Sequence, residues 1–181
     1  FLRLPDGNGE NGTGSGKNGH QSLTRLRSGN LPSLAAIDGS ATYTSWSDLV
    51  STVRAIIDVE RGASTQVWIH MVETDQVKNP GDHPDHLATS ELALESAENL
   101  ECANRIRYIT YASAGLPENL SGEDRDAEVA TFAVTAAELI RVGYSGAWDV
   151  PHLSWLGRSY SSVESGTGSC RPELADASIS K

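Results

Sequence analysis

The stretch from Thr42 to Glu73, TYTSWSDLVSTVRAIIDVERGASTQVWIHMVE, constrains the fold more than any other, because its apolar period changes partway along. Trp46, Leu49, Val50, Val53, Ile56 and Ile57 recur at the i, i+3, i+4, i+7 spacing that gives a helix one apolar side. Ser45 with Asp48 resembles a capping box at its start, and Gly62 is a fitting stop. From Thr65 to Glu73 the pattern turns to a β-rich run with no charge inside it, the mark of a buried strand. A helix followed directly by such a strand predicts an α/β layer.

The rest of the chain continues that alternation. HPDHLATSELALESAENL predicts a second helix, with Pro84 suited to its first position and Leu87, Ala88, Leu92 and Ala93 marking the apolar side. RIRYITYAS, Arg105 to Ser113, reads as another strand, and Phe1 to Leu4 as a short buried one. Ser121 with Asp124 caps a third helix whose core stripe is Val129, Phe132, Ala133, Ala136 and Leu139. These elements make one domain over residues 1–161, and the serine- and glycine-rich residues 162–181 are expected to be a disordered tail.

Residues 7–19, GNGENGTGSGKNG, can bury almost nothing and predict a flexible loop. Three motifs come near to matching there. Gly7, Gly9 and Gly12 satisfy G-x-G-x-x-G, but glycine and polar residues follow where a phosphate-binding helix has to begin. A P-loop needs Gly at 11 and Ser or Thr at 18, and Asn stands at both. A calcium loop starting at Asp6 needs Gly at 11 and Glu at 17, where the chain has Asn11 and Lys17.

Composition narrows the partners. The 181 residues carry 24 acids against 14 bases, a formal charge of -10. That balance repels nucleic acid and anionic lipid, and no basic patch in the sequence offsets it. No apolar run reaches the ~20 residues that cross a bilayer, so no membrane-spanning segment is expected. FLRLPDG lacks the basic start and apolar core of a signal peptide and the chain lacks an initiator Met, so a fragment or processed product is expected. Cys102 and Cys170 are too few for a disulfide framework and too far apart for a Cys-x-x-Cys site, which leaves the redox compartment undecided. Asn11-Gly12-Thr13 and Asn119-Leu120-Ser121 match the N-glycosylation sequon.

The chemistry concentrates in GDHPDH, Gly81 to His86, which sets two carboxylates and two imidazoles around a proline. It follows a predicted strand and opens a predicted helix, the place where ligands collect in open α/β sheets. His83 and His86 are three apart and share a helix face if the first turn includes both. Such a pair can hold one metal, or hold metal with one ring and meet substrate with the other. The plainer reading has Asp82 capping the helix, Asp85 favouring its N-terminal dipole, and the histidines solvated. Catalytic zinc takes three protein ligands, more than this segment supplies by itself. His70 reads as a core or strand-end histidine, while His20 and His152 fall in loops without a nameable partner.

GDHPDHLATS, with LRLPDGNG upstream and RYITYASAGLPENLSGED downstream, resembles the PIG-L/LmbE family of zinc-dependent de-N-acetylases. The similarity runs from Phe1 to about Phe132 and more weakly to WLGRSY, and H-P-D-H is its most specific element. The resemblance implies a Rossmann-like α/β fold of LmbE type, truncated at its N-terminus, and a zinc-dependent N-deacetylase acting on an N-acetylated amino sugar or sugar conjugate. By that match His86 is a zinc ligand, His83 the imidazole acting on the amide carbonyl or leaving amine, and Asp85 a carboxylate tuning it. The family's H-P-D-D run, which supplies two ligands and the general base, is absent from this sequence. GDHPDH is thus expected to be half of a metal site, and this chain alone to be inactive. The alternative is a non-catalytic carbohydrate- or protein-binding domain that kept the fold without the metal.

Overall fold

The computed structural model describes residues 2–7 and 20–170, a mixed α/β fold. In chain order it comprises α1 (Leu23–Arg27), β1 (Leu34–Ala35), β2 (Thr42–Tyr43), α2 (Trp46–Arg61), β3 (Trp68–Val72), α3 (Pro84–Ser96), β4 (Asn104–Ile109), a 3-10 turn (Tyr111–Gly115), α4 (Gly122–Arg141), α5 (Val150–Leu153) and β5 (Tyr160–Glu164). The single domain expected from the sequence divides into two compact units. One consists of Phe1–Thr74, His83–Arg107 and Ser162–Lys181, the other of Asp75–Asp82 and Tyr108–Ser161.

The first unit holds the main core. Leu23, Leu26, Leu34, Tyr43, Leu49, Val50, Ala88 and Leu92 are buried together, with Leu2, Leu4, Trp46 and Val53 partly buried against them. Leu34 and Leu49 are fully buried. Each aliphatic side chain so placed is worth about 1.5–3 kcal/mol of transfer free energy. The start of α2 is as the sequence implies: Ser45 is the N-cap and its hydroxyl accepts from the Asp48 backbone N–H at 3.1 Å. The Asp48 carboxylate accepts from the Thr44 N–H at 2.9 Å rather than from the cap residue itself. The core stripe ends after Val53, since Ile56 and Val59 are exposed.

Three expectations need correction. The run Thr65 to Glu73 is not a buried strand: β3 stands at one end of the sheet order β3-β4-β5, and Trp68 is 49% exposed. A central strand is covered on both faces, whereas this one has a sheet neighbour on one side only among the described residues. Residues 2–7 form no strand; Arg3 contributes one backbone bond, accepting from the Ile37 N–H at 2.9 Å, while Leu2 and Leu4 pack as side chains. The stripe on α4 is the covered side of that helix, with Ala136 buried and Val129, Phe132, Ala133 and Leu139 half-buried. The tail expected from residue 162 instead starts inside β5, and a disulfide joins Cys170 to Cys102 with the Cα atoms 5.1 Å apart. The expected glycine-rich loop falls, apart from Gly7, outside the described residues, as do residue 1 and residues 171–181.

Candidate functional site at the start of α3

Pro84 occupies the first turn of α3, where its missing N–H costs nothing, and fixes the backbone for helix entry. The residue before a proline is pushed to extended geometry, and His83 has φ -68 and ψ 135. That conformation makes His83, not Asp82, the N-cap: its Nδ1 accepts from the Asp85 backbone N–H at 3.2 Å. Backbone bonds from His86 N–H (3.0 Å) and Leu87 N–H (3.2 Å) to the His83 carbonyl then close the first turn. The three-residue spacing brings the His83 and His86 rings to 5.2 Å between centroids, tilted by 52°.

Asp85 is buried, and its carboxylate joins three chain segments. Oδ2 accepts from the Gly7 N–H at 2.7 Å, and Oδ1 from the Thr24 N–H at 3.0 Å and the Thr24 hydroxyl at 2.6 Å. Hydrogen bonds to an ionised acceptor are the strong kind, about 1.5–3 kcal/mol each. These bonds tie the segment LRLPDG and the first turn of α1 to the start of α3. The family resemblance implies that Asp85 tunes His83; in the structure its backbone N–H is what His83 meets, while its carboxylate holds Gly7 and Thr24.

Holding Gly7 also sets the place of Asp6. The Asp6 Oδ1 lies 3.7 Å from His83 Nδ1, with the Asp6 side chain 62% and that of His83 13% exposed. The two contacts of Nδ1 compete, because a nitrogen accepting from Asp85 N–H cannot also donate to Asp6. The capping bond is the shorter of the two, 3.2 against 3.7 Å. Beside the pair lies a cavity of about 330 Å³ within the first unit, with Leu4, Leu23 and Leu92 among its apolar walls and Asp6, Asp85 and His86 among its polar ones.

The other residues singled out by sequence lie elsewhere. Asp82 belongs to the second unit, where it is buried and accepts from Asn79 Nδ2 at 2.7 Å and from the Thr110 hydroxyl. His70 is exposed on β3 and lines a different cavity of about 460 Å³ between α2 and β3, so it is not a core histidine. His152 has a partner after all, Asp149, its Nδ1 lying 2.5 Å from Oδ1. The backbone N–H and the side chain of His152 hold the Asp149 carboxyl below its usual range. By sequence Asp6 stands out only as the start of a calcium loop that does not match, and Thr24 not at all. Asp6 stands inside the quoted LRLPDG, but nothing local to TRLR in α1 marks Thr24 as a partner of a carboxylate 61 positions away.

As donors, the imidazoles of His83 and His86 and the carboxylate of Asp6 are of the types zinc accepts. Among the described residues no three such side chains converge closely enough to hold an ion. Comparison with protein-family profiles, curated proteins and solved structures finds no match for this chain.

Proposed function

We propose that the protein is a zinc-dependent N-deacetylase of amino sugars or their conjugates, with a Rossmann-like fold of LmbE type, and that this chain contributes His83, Asp85 and His86 to the site. The observation that carries the reading is the Asp85 carboxylate. It fastens LRLPDG to GDHPDH, two of the segments on which the family resemblance rests, through the Gly7 N–H.

In this proposal His86 holds the metal through its ring, and further ligands and the base that activates water come from outside the described residues. Zinc, when bound, polarises the amide carbonyl and lowers the pKa of a bound water. His83 follows from its cap. With Nδ1 accepting from Asp85 N–H, the neutral ring carries its proton on Nε2, the atom from which His83 would donate to the substrate. Water adds to the carbonyl carbon, Nε2–H donates a hydrogen bond to the carbonyl oxygen, and the C–N bond breaks as the proton taken from water by the base passes to the leaving amine, giving acetate and a free amino sugar. Asp85 acts as a positioning residue, keeping Asp6 and the start of α3 in place.

The test is acetate release from N-acetylglucosamine conjugates by the full gene product. The proposal expects release that stops with a chelator and returns with zinc. Residues 1–181 alone are expected to bind zinc weakly and release nothing, because one imidazole ligand does not make a three-ligand catalytic site. Absence of hydrolysis from a full gene product carrying stoichiometric zinc would overturn it and leave a binding module in its place.

A further inference from the structure

The second unit holds a cavity of about 410 Å³ between α4 and the segment after α5, within the ~300–1,000 Å³ range of small-molecule sites. Phe132, Trp155 and Leu156 form its apolar walls, and Glu128, Thr131, Thr135 and His152 its polar ones. Trp155 is fixed from several sides. Tyr111 stacks on it at 5.3 Å and 17°, His152 meets it edge-on at 5.5 Å and 86°, and its indole N–H donates to the Tyr111 carbonyl at 3.4 Å. A ring held in this way presents a flat surface at little further loss of entropy on binding.

Three of the polar walls, Glu128, Thr131 and Thr135, are acceptors, and the fourth, His152, has its Nδ1 on Asp149. The Thr131 and Thr135 hydroxyls donate to the Ala127 and Thr131 carbonyls at 2.8 and 2.9 Å, which leaves their oxygen lone pairs. Glu128 accepts from the Gly157 N–H through Oε2 at 2.5 Å, leaving Oε1 for another donor. Among the described residues no lysine or arginine lines the cavity. An anion would meet the Glu128 charge with neither of these cations to offset it. An acyl chain would desolvate these acceptors and pair none of them. A ring with one apolar C–H face and hydroxyls around its edge satisfies both walls at once.

We propose that this cavity is a pyranose-binding site, with the sugar's C–H face against Trp155 and its hydroxyls donating to Glu128 and the α4 threonines. It is separate from any acetamide chemistry at His83 and His86 and holds whether or not that chemistry does. The test is titration of ¹⁵N-labelled residues 1–181 with methyl β-glucopyranoside, which has no acetamide to hydrolyse, following the four indole N–H signals. Saturable shifts are expected at Trp155 and not at Trp68. Both Trp155→Ala and Thr131→Arg should weaken binding about ten-fold or more, the second from an exposed helix position, so that a fold defect in the first leaves the proposal testable. A shift of Trp155 with tetramethylammonium but not with the glycoside would overturn the proposal in favour of a cation site. No shift with the glycoside, or sugar binding unaltered by Thr131→Arg, would overturn it outright.

Discussion

At the start of α3, in the first unit, a histidine caps the helix and a buried carboxylate two residues on accepts three hydrogen bonds from distant parts of the chain. At the start of α4, in the second unit, Ser121 stands at the cap with no side-chain capping bond, Glu123 and Asp124 follow, and one residue of the whole helix is buried. By local signal the second start is the better one, since Ser with Asp three residues on approaches a capping box and His is no favoured cap. The difference teaches that local chemistry decides where these helices begin, while long-range contacts decide how firmly each start is held. A held start is also where side chains can be fixed for chemistry.

The largest expected effect comes from opening the Cys102–Cys170 bridge, which closes a 68-residue separation within the first unit. Chain-entropy reasoning gives a loss of about 4 kcal/mol, so reduction or Cys102→Ser should lower the first unit's unfolding midpoint in urea while leaving local opening of α4 unchanged. Hydrogen exchange read separately on α3 and α4 checks this, and equal loosening of both would break the comparison. Asp85→Ala comes next. It orphans the Gly7 and Thr24 donors and should cost about 3 kcal/mol in denaturant unfolding, against a few tenths for Asp124→Ala on the exposed α4 start.

A pair of serines sharpens the contrast further. Ser45→Ala should cost about 1 kcal/mol, because its hydroxyl accepts from Asp48 N–H, and Ser121→Ala markedly less, because its hydroxyl makes no such bond. Matched losses in thermal unfolding would mean that the Ser121 cap forms in solution. The smallest effect is at Glu164 on β5, whose carboxyl is held below its usual range chiefly by Arg107, with Arg105 adding to it. A lowered carboxylate stabilises above the ordinary carboxylate range and loses that contribution as pH falls through its lowered value. The pair is half-exposed, so the difference between wild type and Glu164→Gln should be slight near neutrality, vanish in acid and shrink with salt.

What the sequence made legible was what periodicity and caps encode. The extent of α2 from Ser45 to Gly62 and the entry of α3 at Pro84 follow from neighbouring residues and appear in the structure as read. Partners far apart in sequence were not legible. The Cys102–Cys170 bridge joins a turn after α3 to a segment that looked like a tail, and Thr24 reaches Asp85 across 61 positions. Burial failed at β3 for a related reason: it carries an inner strand's composition yet stands at a sheet edge among the described residues. At the site, spacing foretold the meeting of His83 and His86. The diversion of Asp85 to Gly7 and Thr24 depended on chain segments that no local pattern connects.

The claim that the start of α3 is a reacting centre is tested most directly by metal content and kcat, measured together on His86→Ala, His83→Ala and His83→Asn in the full gene product. His86→Ala should lose zinc and activity together, as a site missing one of three protein ligands holds its metal poorly. His83→Ala should keep its zinc and lose ~10²- to 10⁴-fold in rate, the usual contribution of a side chain acting on the reacting carbonyl. His83→Asn, which can restore the capping bond to Asp85 N–H, should recover stability without recovering rate. Stoichiometric zinc in His86→Ala, loss of zinc in His83→Ala, or full activity in His83→Asn would contradict the account, the last by making His83 a cap and nothing more.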